Sequence, residues 1–513
     1  MVDTSFRSDD DYEEGKYIPK SYRFERDMDY KDSTFDRSYE KYYSEDANEH
    51  YVYDDVEALV SNKDNVLFDF IKHFKEVQCH RLYVLDSYVH GRNWGISHGK
   101  RRIEKNKADY RIAHDYGGYI SRFATSYVAS KAITYSYDGY SDDGDTNDLA
   151  DILEINKVND VDNLNFELCY DCSVYGRAFE FHYRLKNDLN DYIARIEPFD
   201  MFVIRDKTVR RNIVCAVHCP EFNGFIEPKV YTKNRVYELK KFDLNNPIFL
   251  VNKEYENPYG DVPVVEWFNN RYREGDFEKV LSAIDAYDAG QSDTANYMSD
   301  LNDALLVING DVDLSLSDLS SMRDANILLL ESGVDPAGHS TSTSADYIYK
   351  QYDVSGVEAY KSRILDDLHM LSGIPKITDE SFNTQSGIAM KYKTFGLKQL
   401  KETKVNYFSK ALRRRYEIIE KMRSKNGGTP FNASAIGFNF HENLPSDVWL
   451  EIKSFVDSGG LLSQETLLEN TSFTNPKKEL ERISSEEDKR EGLSAEEAAF
   501  RRAIIDEKLY REE

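Results

Sequence analysis

An α+β fold is the class this sequence predicts, and three stretches predict it. Residues 178–251 hold a series of short segments rich in β-branched and aromatic residues, punctuated by turn residues, as in an antiparallel sheet. Gly275 to Gly310 reads as one long amphipathic helix. Ser386 to about Arg423 reads as a second. Strands gathered in one run, with helices on either side, make a mixed α+β domain.

The chain has 513 residues, room for roughly two to four domains. It carries 92 acidic and 66 basic residues, a formal net charge of −26. That excludes a general duplex-coating protein, which needs a basic footprint. It leaves open a protein that encloses DNA without gripping it, because an acidic wall repels phosphate. The 37 tyrosines suit large, partly polar interfaces. No apolar run approaches the roughly 18 residues of a membrane span, and the start, MVDTSFRSDDDYEEG, lacks a signal-peptide pattern. The expectation is no membrane and an origin in the cytoplasm.

Five cysteines do not suggest a disulfide framework. Cys169 and Cys172 form CxxC and Cys215 and Cys219 form CxxxC, which raises the question of a zinc site. Leu164, Leu168 and Cys172 follow helical spacing, however, and Cys215, Val217 and Cys219 alternate on one face of a strand. Both pairs read as core.

In chain order, residues 1–57 hold 18 acidic and 8 basic residues and 9 tyrosines. With few aliphatics they are expected to form a flexible or partner-ordered acidic arm. From Val56 to Tyr88 the pattern is helical, with Phe70, Phe74, Val77 and Arg81 on one stripe. A basic cluster follows at Lys100, Arg101, Arg102, Lys105, Lys107 and Arg111, read as a solvated loop paired to acidic neighbours, with phosphate contact as the alternative. Ala113–Val128 reads as a helix, Ile133–Tyr137 as a strand and Leu149–Tyr175 as a helix. Strands are expected at Ala178–Tyr183, Tyr192–Glu197, Met201–Arg205, Ile213–Cys219, Lys229–Thr232, Asn234–Leu239 and Ile248–Val251. Asn257–Gly260 is a turn, and Val262–Phe268 leads into the long helix.

In that helix Val280, Ile284, Tyr287, Met298, Leu301 and Leu305 share one stripe. Asp285, Asp293, Asp300 and Asp303 fall opposite, with Asp288 on the flank. This is an acidic face turned to water, or to a central channel if the helix is a strut in a ring. Gly310 stands where a C-cap belongs. A compact insert follows, with a short helix at Ser315–Met322 and strands at Ala325–Leu330 and Tyr347–Tyr352. Val357–Leu371 then returns as a helix with Val357, Tyr360, Ile364, Leu368 and Leu371 as its stripe, stopped by Gly373-Ile374-Pro375. Two helices around an insert make an out-and-back hairpin.

Between Ser386 and Lys425 there are 12 basic and 3 acidic residues. Phe408, Leu412, Tyr416 and Ile419 give that helix a buried stripe. Its charge is read as meeting either phosphate or, preferably, the acidic surface of a neighbouring copy. Ala435–Phe440 reads as a strand. From Leu444 the chain is mostly helical and ends in an alternating-charge tail.

No Walker A loop, GxGxxG, HExxH or GxSxG occurs. Asp285, Asp288 and Asp293 resemble a metal-binding set but lack a neighbouring histidine, so the solvated reading is preferred. No catalytic residue, metal ligand or cofactor is assigned.

Six groups of residues nonetheless carry a likeness to a known family, in family order. They are Tyr88-Val89-His90-Gly91; Asp109-Tyr110-Arg111-Ile112-Ala113; Val174-Tyr175-Gly176-Arg177-Ala178; Trp267-Phe268-Asn269-Asn270; Ile284-Asp285-Ala286-Tyr287-Asp288 with Ser292-Asp293-Thr294-Ala295-Asn296; and Ser386-Gly387-Ile388-Ala389-Met390-Lys391-Tyr392. From about Val66 to Gly460 the chain resembles the portal proteins of tailed phages, in the branch typical of phages of Gram-positive bacteria. Where that family often has a Gly-Asn-Pro turn, Ala129-Ser130-Lys131 stands here.

The resemblance implies a portal fold in which 58–270 and 387–443 form a mixed α/β wing. Residues 271–306 and 354–373 would be stem helices, 307–353 a small clip, 374–386 a tunnel loop and 444–513 a helical crown with a charged tail. It implies Lys376, Phe382, Asn383, Thr384 and Gln385 facing DNA, and a stem acidic face of Asp285, Asp288, Asp293, Asp300 and Asp303. Asp311, Asp313 and Leu329 would be clip contacts. It further implies a ring of about twelve copies at one capsid vertex, assembled in the host cytoplasm. Double-stranded DNA would pass through it. The partners would be the terminase large subunit, major capsid and scaffolding proteins, and a head-completion protein. The alternatives are a metal-dependent nucleic-acid enzyme, which stoichiometric metal would reveal, and a virion adaptor without a channel.

Overall fold

The computed structural model describes residues 42–62, 65–97, 108–137, 147–185, 188, 190–244, 249–300, 305–309, 317, 344–348, 353–376, 394–425, 431–441 and 483. The chain divides into two compact units, Met1–Asn443 and Leu444–Glu513, and all described residues but Ile483 lie in the first.

The first unit begins with β1 (Tyr51–Val52), α1 (Val56–Val60) and α2 (Val66–His73). One π turn over Phe74–Gln78 leads into α3 (Cys79–Val89), then α4 (Trp94–Ser97) and α5 (Tyr116–Ala129). Next come β2 (Thr134–Tyr137), α6 (Asn147–Val158) and α7 (Val161–Tyr175). Ten strands follow: β3 (Arg177–Tyr183), β4 (Tyr192–Ile196), β5 (Met201–Arg205), β6 (Ile213–His218), β7 (Glu221–Phe222), β8 (Phe225–Ile226), β9 (Lys229–Thr232), β10 (Arg235–Leu239), β11 (Val251–Glu256) and β12 (Val264–Phe268). The unit closes with α8 (Leu281–Asp300), β13 (Leu305–Asn309), β14 (Ser344–Ile348), α9 (Val354–Ser372), α10 (Phe395–Lys425) and β15 (Ile436–Asn439).

The main sheet has the order β1-β5-β6-β9-β10-β11, antiparallel except for the β1–β5 pair. Its centre is buried on both faces, and strand alternation divides the residues between two cores. Phe202 and Ile204 of β5, with Cys215 and Val217 of β6, meet Phe70, Ile71 and Phe74 of the helical layer. Met201, Val203 and Ala216 point the other way, onto Phe179 and Val264 of the three-stranded sheet β12-β3-β4. That is why Met201–Ile204 reads as a continuous apolar run. Each such large side chain taken from water contributes roughly 1.5–3 kcal/mol.

Several expectations need correction. Residues 42–57 are not a free arm: Tyr51 is buried in the core and β1 pairs with β5. Residues 1–41 lie outside the described residues. The expected helix over Leu149–Tyr175 is two helices, parted at Asp160 with φ 45°. Val262–Phe268 is no mere lead-in, because β12 is the strand that joins β3. The strand expected at Ile248–Val251 runs instead over Val251–Glu256, all six residues exposed.

The long helix over Gly275–Gly310 also stops early. A short 3-10 turn at Glu278–Val280 precedes α8, and Leu305–Asn309 is a strand paired antiparallel with Ser344–Ile348. Leu305 therefore belongs to the insert, not to the helix stripe, and the second insert strand comes before Tyr352. The other insert strand, at Ala325–Leu330, lies outside the described residues, as do Asp311, Asp313 and Leu329. The C-cap role expected of Gly310 falls outside them too.

Candidate functional site

The α8–α9 hairpin and its attachment to the rest of the first unit form the candidate site. The chain enters it through a passage that two glycines make possible. Gly176 has φ 80°, and a Cβ there would lie 1.9 Å from the Arg273 carbonyl oxygen; a Cβ on Gly275 would lie 2.4 Å from that of Val174. Backbone against backbone at this distance admits only glycine.

Buried charges fasten the passage. Arg81 of α3 donates to both Glu278 carboxylate oxygens, at 2.7 and 2.6 Å, and to the carbonyls of Tyr175 and Arg273. Tyr43 donates to the same Glu278, as does the Gly275 amide. One step on, Asp276 accepts from Ser173 and Asn269 and pairs with Lys404 of α10 at 2.7 Å. In a low-dielectric interior such pairs hold only because every partner is present.

Along α8 the buried stripe is polar. Asp285 accepts from Tyr88 at 2.8 Å and from Tyr42. Asp288, fully buried, accepts from Asn93 and from the His114 amide and ring Nδ1 at 3.1 and 2.7 Å. Ser292 accepts from the Ile112 amide at 2.9 Å, and Asn296 from the Tyr110 amide at 2.7 Å. The regularity has a geometric cause. Four helical residues rise about 6 Å, and two extended residues advance about 6.6 Å. Positions 288, 292 and 296 can therefore read every second residue of an extended strip, 114, 112 and 110, running the other way. The acidic side expected to be solvated is thus partly internal: Asp288 is buried and Asp285 is held by two phenols. Asp293 is exposed. The side chain of Asp300 and all of Asp303 lie outside the described residues.

Against α8 lies α9. Lys361, buried, donates to Gln291 at 3.1 Å and crosses α8 at Gly290, where a Cβ would meet its Cγ at 3.3 Å. Ile364 and Leu368 are buried, but Tyr360 and Leu371 of the expected stripe are exposed, along with Met370. Asp353 caps the helix N-terminus by accepting from Gly356 at 3.0 Å, and Gly373 ends it in the left-handed conformation at φ 72°. Lys376, just beyond, pairs with Asp366 at 2.9 Å. Phe382, Asn383, Thr384 and Gln385 lie outside the described residues.

The cationic helix α10 does not save its charge for phosphate or a neighbour, as expected; much of it is used within the chain. Arg415 pairs with buried Glu180, Arg414 and Lys421 with Asp261, Arg423 with Asp151 and Asp191, and Lys425 with Glu256. Phe408, Leu412, Tyr416 and Ile419 are buried as the periodicity predicts.

Among the described residues no group of three or more His, Cys, Asp or Glu could hold a metal ion. All five cysteines are buried and free, and burial raises the Cys79 thiol to about 12. No helix among the described residues is long and apolar enough to cross a membrane. The Arg81–Glu278 and Lys404–Asp276 pairs carried no signal in the sequence. The Asp288-Ser292-Asn296 spacing did carry one, a helical row of polar residues beside a stripe of apolar ones.

The family described as Phage portal protein, SPP1 Gp6-like, matches residues 68–492. The portal protein of Bacillus phage SPP1 is 21% identical over 417 residues, covering 76% of this chain and 78% of that protein. Among solved structures, the neck of a native gene transfer agent particle computed with C12 symmetry aligns with a TM-score of 0.39 at 10% identity, over 68% of this chain and 87% of that one. The neck of an empty particle computed with C6 symmetry aligns with a TM-score of 0.42 at 12% identity, over 74% and 98%.

Proposed function

Because the chain belongs to the SPP1 Gp6-like family of phage portal proteins, and so serves as a portal in the head–tail connection of a phage particle, we propose how its parts do that work. Copies close into a ring at one capsid vertex, and double-stranded DNA passes through the centre during packaging and ejection. The α8–α9 hairpin is the stem beside that passage, Leu305–Ile348 belongs to the clip that docks the terminase large subunit and later a head-completion protein, and 374–386 is the loop that faces DNA. Capsid and scaffolding proteins meet the ring from outside, and assembly takes place in the host cytoplasm. The protein carries out no catalysis of its own; the motor supplies the work.

The observation that carries this reading is the anchoring of the hairpin. A strut beside moving DNA must transmit load to the body of its subunit. Arg81–Glu278, Lys404–Asp276 and the 288/292/296 ladder tie α8 to α3, α10 and the 110–114 strip. An acidic passage also fits a net charge of −26, since a wall that repels phosphate lets DNA slide.

The test is the mass of the purified protein by native mass spectrometry or sedimentation. A closed assembly near about twelve times the chain mass of 59.5 kDa is expected. A stable monomer at high concentration, also in the presence of scaffolding protein, would overturn the ring.

A further inference from the structure

Arg177 opens β3 next to Gly176 and is 1% exposed. Its Nη1 donates to Gln78 Oε1 at 2.8 Å, and the Gln78 amide is itself oriented by donating to the Glu49 carbonyl at 2.9 Å. Its Nε and Nη2 are buried and meet no acceptor among the described residues. Those two atoms form one edge of the guanidinium, a fork that matches two oxygens of one anion. Three other arginines of the chain grip a carboxylate by that edge: Arg81 on Glu278, Arg195 on Asp171 and Arg415 on Glu180. A buried charged donor with no acceptor carries its whole desolvation cost.

The carboxylates around Arg177 are already taken. In the β3–β12 ladder Arg177 stands opposite Phe268, and Phe179 opposite Glu266. Arg177 and Glu266 are therefore diagonal neighbours on one face. Yet Glu266 gives one oxygen to Arg205 at 2.6 Å and the other to Arg273 at 3.0 Å. Both oxygens of Glu278 are held by Arg81. Four guanidinium groups thus share two carboxylates, and the group carries an excess of positive charge. Arg205 Nε is also buried with no acceptor among the described residues. Burial, with Arg273 and Arg81 near, pushes Arg177 down to about 9, a shift that a bound anion opposes.

The surroundings limit what can bind. The Phe74 and Phe179 ring centres lie 5.9 and 6.0 Å from the guanidinium carbon. With Arg177 so enclosed, an acidic side chain on the surface of another protein cannot reach its free edge. A small ion can enter through local opening.

We infer that Arg177 binds a small free oxyanion, of the formate or phosphate kind, on its Nε–Nη2 edge beside Arg205 and Arg273. The ion supplies negative charge that the four arginines lack, at the base of the passage into α8. The inference stands apart from the ring proposed above.

The test uses the full chain at constant ionic strength, with sodium formate or sodium phosphate replacing sodium chloride. The thermal midpoint is expected to rise by a few degrees and to level off at saturation. R177K keeps the charge and loses the two-point edge, so its midpoint should not respond. Equilibrium dialysis of the parent chain against radiolabelled formate and phosphate should find a single equivalent per chain, and the ion retained identifies the source. This measurement needs no variant and stands if R177K fails to fold. An equal rise in R177K and the parent chain overturns the site, because the effect is then one of salt in general. No retained ion, with a midpoint the same in all three salts, also overturns it and leaves the two donors to water.

Discussion

Arg81 and Glu278, 197 positions apart, meet in a two-pronged ion pair of 2.7 and 2.6 Å, with the arginine fully buried and the carboxylate nearly so. The pair joins α3 to the turn that starts α8. Removing one partner leaves the other charged and desolvated. E278A is expected to cost about 3–5 kcal/mol, and R81M/E278L to recover part of that loss, because two apolar side chains leave no stranded charge. Denaturant titration of the single and double variants checks it. A cost under about 1 kcal/mol for E278A would show the pair to be solvated.

The ladder along α8 predicts a local effect. S292A removes the acceptor of the Ile112 amide and is expected to cost about 1 kcal/mol. N296A does the same for Tyr110. Amide hydrogen exchange should speed up at 110 and 112 in these variants while the core strands β5 and β6 stay protected. Uniform acceleration, or none, would mean that the strip is held by something else.

Gly176 and Gly224 make a matched pair, since both have φ near 80°. A Cβ on Gly224 meets nothing within 4 Å, whereas on Gly176 it runs into the Arg273 carbonyl. Left-handed strain alone costs about 1 kcal/mol, so G224A should fold with a loss of that order. G176A must also push the α8 entry apart and is expected to lose about 3 kcal/mol or more. Equal losses, read by thermal melts of both, would place the passage elsewhere.

These sites mark the limit of what the sequence shows. Periodicity alone found α2, α3, α9 and the buried row of α10, because each buries one stripe on its neighbours. It carried the α8 pattern too far, into Leu305–Asn309, because β13 is a strand only by pairing with Ser344–Ile348, about forty residues later. It placed β11 too early, at Ile248–Val251, because an edge strand exposed on both sides has no alternation of burial to read. It gave Asp288 to solvent because the donors that bury it, Asn93 and His114, come from far upstream. Cations on α10 likewise looked free until the fold brought Glu180, Asp261 and Asp191 to them. A one-dimensional pattern records which face is apolar, and it does not record which distant polar group completes a polar one.

Acid should weaken the protein in two steps. His73 is buried between Tyr51 and Asp46, and its burial outweighs Asp46 and lowers its pKa. The unfolded chain therefore binds that proton first, so stability is full above about pH 6.5 and falls as the pH drops below it. Burial would raise Glu180 and Glu266, yet Arg415 outweighs it at the first and Arg205 with Arg273 at the second, holding both at about 2. Their contribution, about 3 kcal/mol each, is present above the usual glutamate pKa and is lost as the pH falls toward 2. Chemical denaturation at pH 7, 5 and 3 should show both losses. E180Q should be weaker at pH 7, with a flatter fall between pH 5 and 3. A fall as steep as in the parent chain would remove Glu180 from this account.

The segment proposed to face DNA can be shortened without disturbing what holds it. α9 ends at Gly373 and α10 starts at Phe395, and the two places touch: a Cβ on Gly373 would lie 3.5 Å from the Gly396 carbonyl oxygen. Ile374 is buried, and His369 bonds its carbonyl, so the exit is fixed. Leu397 is buried on the return side. Chain-closure entropy changes by only a few tenths of a kcal/mol when a few residues are removed between two ends already held together. Deleting Phe382–Gln385 is therefore expected to leave the thermal midpoint and the assembly mass unchanged, while DNA packaging or retention in particles falls. The contact between the ends of α9 and α10 keeps the hairpin in place, so the defect should be confined to DNA. If the deletion abolishes assembly instead, 374–386 is a structural joint between subunits and the DNA-facing role passes to another part of the hairpin.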